Sequence, residues 1–266
     1  MATRESIYQT CQKHLMNSLN RADVQDAPFP HFFVRELLPA DIYAQLMDAL
    51  PPTENYLQLD KYNQGEASTR HRMSLESGNL TKLSAEHQAL WLGVRDALGD
   101  AEVKRLVFRK LQNGIAYRFG ISKSEAENAP GYPLPELYRE TTGYSIKPHP
   151  DTRRKVVTMQ MSLARSEEQK DLGTTFYKLS LSPRALMREP RGFVTAKQMP
   201  FSPNSAYAFV VLNTVGKRSW HGRETLRGDC GTRNSLLHLY YADPADASPE
   251  LVEKFYSQPA TQRRAA

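Results

Sequence analysis

Lys155-Val156-Val157-Thr158-Met159-Gln160-Met161-Ser162-Leu163 is the stretch whose pattern decides how the rest of the chain is organised. Val157, Met159, Met161 and Leu163 alternate with Thr158, Gln160 and Ser162. Successive side chains of an extended chain point to opposite faces, so this is a strand with one apolar and one polar side. Further short strands are predicted downstream at 175–179, 193–196, 206–212 and 233–241, separated by Gly, Pro and Asn turns. Upstream of about residue 133 the period is helical. Ile7, Cys11, Leu15 and Leu19 fall four apart on one stripe; Pro39 and Asp41 open a helix carrying Ile42, Leu46 and Leu50. Ser84 caps a helix with Leu90, Trp91, Val94 and Leu98 that Gly99 ends, and Asp100 caps the next, with Val103, Val107 and Leu111. Phe29-Pro30-His31-Phe32-Phe33-Val34 reads as extended, and the polar segment 53–79 as a long loop or lid whose Arg70, His71 and Arg72 are solvated. Helices followed by regularly spaced short strands give an α+β fold whose second half is a sandwich or barrel. The expected organisation is one domain over 1–258, with helical support in 1–130, the β core in 131–245, and a disordered tail at 259–266.

Composition narrows the function classes. The 266 residues are 40% hydrophobic, which supports a substantial core and excludes disorder of the whole chain. The longest apolar run, 206–212, is far short of the roughly 20 residues that span a bilayer. The first residues lead into a polar helical pattern with no apolar leader segment, so the expectation is a cytoplasmic protein with no membrane partner. Cys11 and Cys230 alone make neither a disulfide framework nor a Cys-rich zinc site. The net charge of +6 comes from scattered basic residues without a Lys/Arg run among aromatics, which argues against nucleic acid and suits a pocket for anionic small molecules. Oligomeric state is not legible.

Three groups of residues carry candidate chemistry. In His149-Pro150-Asp151, residues i and i+2 of an extended segment point to the same side, so the imidazole and the carboxylate can converge; the alternative is a hydrogen-bonded surface pair. His221, in Ser219-Trp220-His221-Gly222 after an apolar strand and a turn, is the candidate third ligand, the alternative being a core histidine bonded to a backbone carbonyl. Two imidazoles and a carboxylate on one face leave three octahedral positions open, the pattern of non-haem Fe(II) oxygenases. In Gly231-Thr232-Arg233-Asn234-Ser235-Leu236, Arg233 and Ser235 share a strand face and form a potential carboxylate clamp; a bridge from Arg233 to a protein carboxylate is the competing reading.

These segments, with Gly143-Tyr144-Ser145-Ile146-Lys147-Pro148 leading into His149 and with the 155–163 strand, resemble the 2-oxoglutarate- and Fe(II)-dependent dioxygenase superfamily, in its prolyl 4-hydroxylase-like branch. The likeness spans residues 143–241. It implies a double-stranded β-helix (a cupin-like jelly roll) braced by the N-terminal helices, with Fe(II) on His149, Asp151 and His221. It further implies that 2-oxoglutarate chelates the iron with its far carboxylate on Arg233 and Ser235, that Thr158 shares this task with Gln160 and Ser162, and that dioxygen takes the last position. The implied reaction is hydroxylation of an unactivated C–H of a small molecule or amino-acid-derived substrate, with 2-oxoglutarate converted to succinate. Tyr144 and Arg223 are candidate substrate contacts, Arg223 toward an anionic group. Hydroxylation of a peptide side chain is the alternative, and a non-catalytic metal- or anion-binding jelly roll a further one. Three features depart from the pattern: the interval from His221 to Arg233 is long, leaving Arg227 as another clamp; Ser162 stands where relatives carry a tyrosine; and Arg223 stands where they carry an apolar residue. Asp151, where halogenating relatives have a small residue, points to oxygen insertion.

Overall fold

The computed structural model describes residues 2–59, 69–227, 231–248 and 250; the expected tail, the turn at 228–230 and residues 60–68 of the expected lid lie outside them. In chain order the helices are α1 (Arg4–Arg21), α2 (Ala40–Asp48), α3 (Ser77–Leu80), α4 (Ala85–Leu98), α5 (Ala101–Lys110), α6 (Gln112–Phe119) and α7 (Pro183–Met187). The strands are β1 (Asp23–Gln25), β2 (His31–Val34), β3 (Leu57–Gln58), β4 (Arg70–Ser74), β5 (Tyr132–Glu140), β6 (Ile146–His149), β7 (Lys155–Leu163), β8 (Thr175–Leu179), β9 (Phe193–Gln198), β10 (Ser205–Val210), β11 (His221–Arg223) and β12 (Arg233–Tyr241).

The caps read from the sequence are in place. Ser84 Oγ accepts from the His87 N–H, and Asp100 accepts from the N–H groups of Glu102 and Val103, each satisfying donors that the first helical turn leaves without intrahelical partners. Among the described residues no helix is long and apolar enough to cross a membrane.

The strands form an eight-stranded sheet, in the order β1-β2-β10-β7-β12-β5-β4-β3, and a four-stranded sheet, β6-β11-β8-β9. Pairing within the second half is nested: β5 with β12, β6 with β11, β7 with β10, and β8 with β9, all antiparallel. Nested pairing that alternates between two facing sheets is the jelly roll, or double-stranded β-helix, expected above. The two faces of β7 do different work. Val157, Met159, Met161 and Leu163 join Leu236, Tyr240, Trp91 and Phe108 in the main core between large sheet and helices. Thr158 and Gln160 look the other way, into the space between the sheets, where they line a cavity.

The segment 53–79 is a correction. It holds β3, β4 and α3, and β4 is an internal strand of the large sheet, so Arg70, His71 and Arg72 do not sit on a solvated lid. Arg72 is buried against Glu136 of β5, its Nε donating to Oε1 at 2.7 Å. A charged strand is admissible inside a sheet because the neighbouring strand supplies counter-charges, Glu140 directly opposite Arg70 and Glu136 on the diagonal from Arg72.

Candidate metal centre

His149 ends β6 and His221 begins β11, and the antiparallel register sets them directly opposite each other, with ring centroids 4.5 Å apart. Gly222 makes this approach possible: a Cβ there would stand 2.6 Å from the Ile146 carbonyl oxygen, so any side chain would push β11 off β6. Asp151 follows two residues after His149, and one potential ligand atom from each of His149, Asp151 and His221 lies within 4.8 Å of the others. The convergence expected from the spacing is what the fold produces.

Each member of the set is oriented by a partner of its own. His149 Nδ1 lies 2.9 Å from the Lys147 carbonyl oxygen and His221 Nδ1 lies 2.9 Å from that of Ser219. A carbonyl can only accept, so Nδ1 carries the hydrogen in both rings and each Nε2 keeps its lone pair for the shared point. Asp151 Oδ1 accepts from Lys155 Nζ at 2.8 Å and Oδ2 from Thr158 Oγ1 at 2.7 Å, while His221 Nε2 stands 3.8 Å from Oδ2. Burial, reinforced by the neighbouring His221, pushes the His149 pKa down to about 4, and burial lowers that of His221. Burial works to raise Asp151, but the Lys155 ammonium beside it outweighs burial and holds the carboxyl well below the usual carboxylate range. Two neutral imidazoles beside an ionised carboxylate are the protonation states a divalent cation requires. The donor set is nitrogen and oxygen with three members, which fits an open Fe(II) site better than a closed structural zinc site.

The triad opens onto a cavity of about 690 Å³ between the sheets. At its far end lies a row of charges in register: Arg70 on β4 and Arg233 on β12 both stand opposite Glu140 of β5. Arg70 Nε meets Glu140 Oε1 at 3.0 Å and Arg233 Nη1 takes Oε2. Arg233 also donates from Nε to the Leu172 carbonyl at 2.7 Å and from Nη2 to Gln160 Oε1 at 3.1 Å, with Phe201 beneath its guanidinium. Arg233 therefore lines the cavity and makes the protein carboxylate bridge that competed with the clamp reading. Arg227 is exposed and does not line the cavity, so of the two arginines only Arg233 reaches it.

The other expected residues divide. Tyr144 and Arg223 line the cavity: Tyr144 is buried beneath Arg70, and Arg223 donates from Nη1 to the Gly173 carbonyl at 2.5 Å. Thr158 is in the site but at Asp151, away from Arg233, because its Oγ is committed to the carboxylate. Ser235 does not line the cavity; its Oγ is buried without a hydrogen-bond partner, since the side chain is packed between β7 and β5 opposite Ser162 and Tyr138. The sequence reading missed Tyr207 and Thr174. Tyr207 on β10 stands opposite Gln160, donates to its Oε1 and contacts Thr174 Oγ1 at 2.7 Å. Tyr207 thereby brings a phenolic hydroxyl from the neighbouring strand to the cavity face of β7. Alternation of Ala206-Tyr207-Ala208-Phe209 was the available signal, since it puts Tyr207 on the face of Gln160.

No protein-family model matches the chain, and no curated protein matches it. Among solved structures the chain is similar to AviO1 from Streptomyces viridochromogenes Tue57, at 14% identity over 87% of this chain and 96% of that one, with a TM-score of 0.46. It is also similar to an oxidoreductase of the 2OG-Fe(II) oxygenase family from Burkholderia pseudomallei, at 12% identity, 89% and 91% coverage and a TM-score of 0.45. A prolyl-4-hydroxylase from Pseudomonas putida gives 13% identity, 89% and 99% coverage and a TM-score of 0.45.

Proposed function

We propose that the protein is an Fe(II)- and 2-oxoglutarate-dependent dioxygenase that hydroxylates a small, amino-acid-sized substrate. The observation that carries this reading is the convergence of His149, Asp151 and His221, both Nδ1 atoms tied to backbone carbonyls, at one end of a cavity whose other end holds the buried guanidinium of Arg233. A ferrous ion held there would couple oxidative decarboxylation of 2-oxoglutarate by dioxygen, yielding succinate and carbon dioxide, to insertion of the second oxygen atom into a substrate C–H bond.

The residues prepare that chemistry. His149 and His221 present neutral Nε2 donors, and Thr158 and Lys155 hold the Asp151 carboxylate ionised and aimed. Arg233, steadied by Gln160 and Glu140, offers a charge-assisted contact to the far carboxylate of the cosubstrate. Retention of Asp151 supports oxygen insertion as the outcome. Tyr144, Arg223 and Arg70 surround the space left for the substrate, and arginines there suit an anionic group on it. A cavity of about 690 Å³ between the sheets suits a small molecule, and a peptide side chain is the second reading. The two-cysteine composition supports a cytoplasmic setting.

The test is succinate release from anaerobically reconstituted Fe(II) protein given 2-oxoglutarate and dioxygen. Wild type is expected to release it and His149→Ala to lose that release; equal release from both removes the catalytic reading. Screening amino acids and small carboxylic acids for stimulation of release then separates small-molecule from peptide substrates.

A further inference from the structure

The β8–β9 hairpin bears at its tip a surface that the proposed reaction does not use. Leu179, Leu181 and Met187 are 62%, 87% and 85% exposed, and Leu186 and Val194 are exposed beside them. In α7 only Ala185 turns inward, so Leu186 and Met187 face water. Side chains this exposed stand on a convex projection, because the wall of a groove is shielded by its opposite wall. An apolar cluster concentrated in one short segment marks a contact site, unlike isolated surface leucines.

The charges around the cluster say what covers it. Lys178, Arg184, Arg188 and Arg191 are all exposed, and Glu189, the one carboxylate between 178 and 194, is 3.2 Å from Arg191. The segment thereby holds three of the chain's six net positive charges. Two half-buried rings border the cluster on the small sheet: Phe193 and Trp220 lie 5.0 Å apart between centroids, with Arg218 over the Trp220 ring at 5.4 Å. Two such tips facing each other would set like charges together, which disfavours a second copy of the chain as the occupant. Projecting leucine and methionine, flanking arginines and an indole at the margin are the elements with which proteins lie on anionic lipid, the apolar groups entering the headgroup layer while the cations meet phosphates.

Against the expectation of no membrane partner drawn from composition, we propose that the β8–β9 tip docks the protein peripherally onto an anionic membrane surface, with Leu181 and Met187 inserted and Arg184 and Arg188 on the headgroups. Nothing in this depends on the chemistry of the cavity. The test is cosedimentation of the full chain with vesicles of phosphatidylcholine containing one-third phosphatidylglycerol, against vesicles of phosphatidylcholine alone. Wild type is expected to sediment with the anionic vesicles and to be released by salt. Leu181→Asp with Met187→Asp, and separately Arg184→Glu with Arg188→Glu, should each weaken binding at least about tenfold with the melting temperature unchanged, since the replaced side chains are exposed. Failure to sediment with anionic vesicles at low salt overturns the proposal, as does unchanged binding by both double variants. Two further results count against it: a wild-type dimer dissolved by the aspartate pair without vesicle binding assigns the tip to a second copy, and retention on immobilised polyglutamate without vesicle binding assigns it to an acidic polypeptide.

Discussion

Arg233 and Glu140 stand directly opposite each other in the β12–β5 register and form an ion pair in which both side chains are almost fully buried. Arg70, opposite Glu140 from the other side, makes the arrangement a row of two guanidiniums sharing one carboxylate. Glu140 thus divides its charge between two guanidiniums, and a carboxylate ligand arriving at Arg233 would share that guanidinium with it.

Glu140→Gln should therefore destabilise the protein and make its stability more dependent on a dicarboxylate. Removing one partner of a buried ion pair costs about 3–5 kcal/mol, because the remaining charge is left uncompensated. Thermal unfolding with and without 2-oxoglutarate in the metal-loaded protein checks both halves: the variant melts lower, and its ligand-induced rise exceeds that of wild type. Equal rises would mean that Glu140 and the ligand do not share Arg233.

Thr158 acts on the metal through Asp151, to which its hydroxyl donates at 2.7 Å. Removing a group that orients a ligating carboxylate costs about tenfold to a hundredfold in metal affinity. Thr158→Val should weaken Co(II) binding, followed by its visible absorption, by that order, while leaving 2-oxoglutarate affinity at saturating metal little changed. Loss of 2-oxoglutarate affinity with Co(II) binding intact would return Thr158 to the clamp.

What the sequence made legible follows from the range of the interactions involved. Alternation in β7 is local, so both its faces could be assigned from nine residues, and the i, i+2 geometry of His149 and Asp151 is equally local. Arg72 is the opposite case. Its burial inside a sheet is supported by Glu136 beside it, 64 positions away along the chain, and no local pattern distinguishes such an arginine from one in a solvated loop. Ser235 failed for a related reason: strand parity fixed its face correctly, but whether that part of the face borders the cavity or is packed over depends on Tyr138 and Ser162. Period gives direction along a strand; register against distant strands gives the neighbours.

His238 on β12 gives the fold a pH dependence of its own. It is buried edge-on to Tyr240, and burial, opposed by the Leu98 carbonyl, pushes its pKa from 6.5 down to about 3. A histidine whose folded pKa is depressed stays neutral in the native state while the unfolded chain takes up a proton. Stability is then full above pH 6.5 and falls as the pH drops toward 3, at about 1.4 kcal/mol per pH unit from this group once well below 6.5. His149 and His221 shift in the same direction, so the comparison is between wild type and His238→Leu in urea titrations from pH 7 to about pH 4. The variant should lose less stability on acidification; parallel curves would show that His238 takes up its proton without unfolding cost.

Gly222 links strand packing to the metal centre in one position. A methyl group there meets the Ile146 carbonyl at 2.6 Å and the Lys147 and Pro148 backbone at 3.1 Å, none of which can turn aside as a side chain would. Gly222→Ala should force β11 away from β6 and carry His221 from His149. The stability cost is about 1–3 kcal/mol, as for other overpacked sites. Metal affinity should fall further than this general loosening explains, because two of the three ligands sit on the separated strands. Gly78→Ala in α3, whose Cβ meets nothing within 4 Å, is the control and should leave metal affinity unchanged without lowering stability. If Gly222→Ala binds Co(II) like wild type despite a lowered melting temperature, the β6–β11 spacing does not set the position of the histidines.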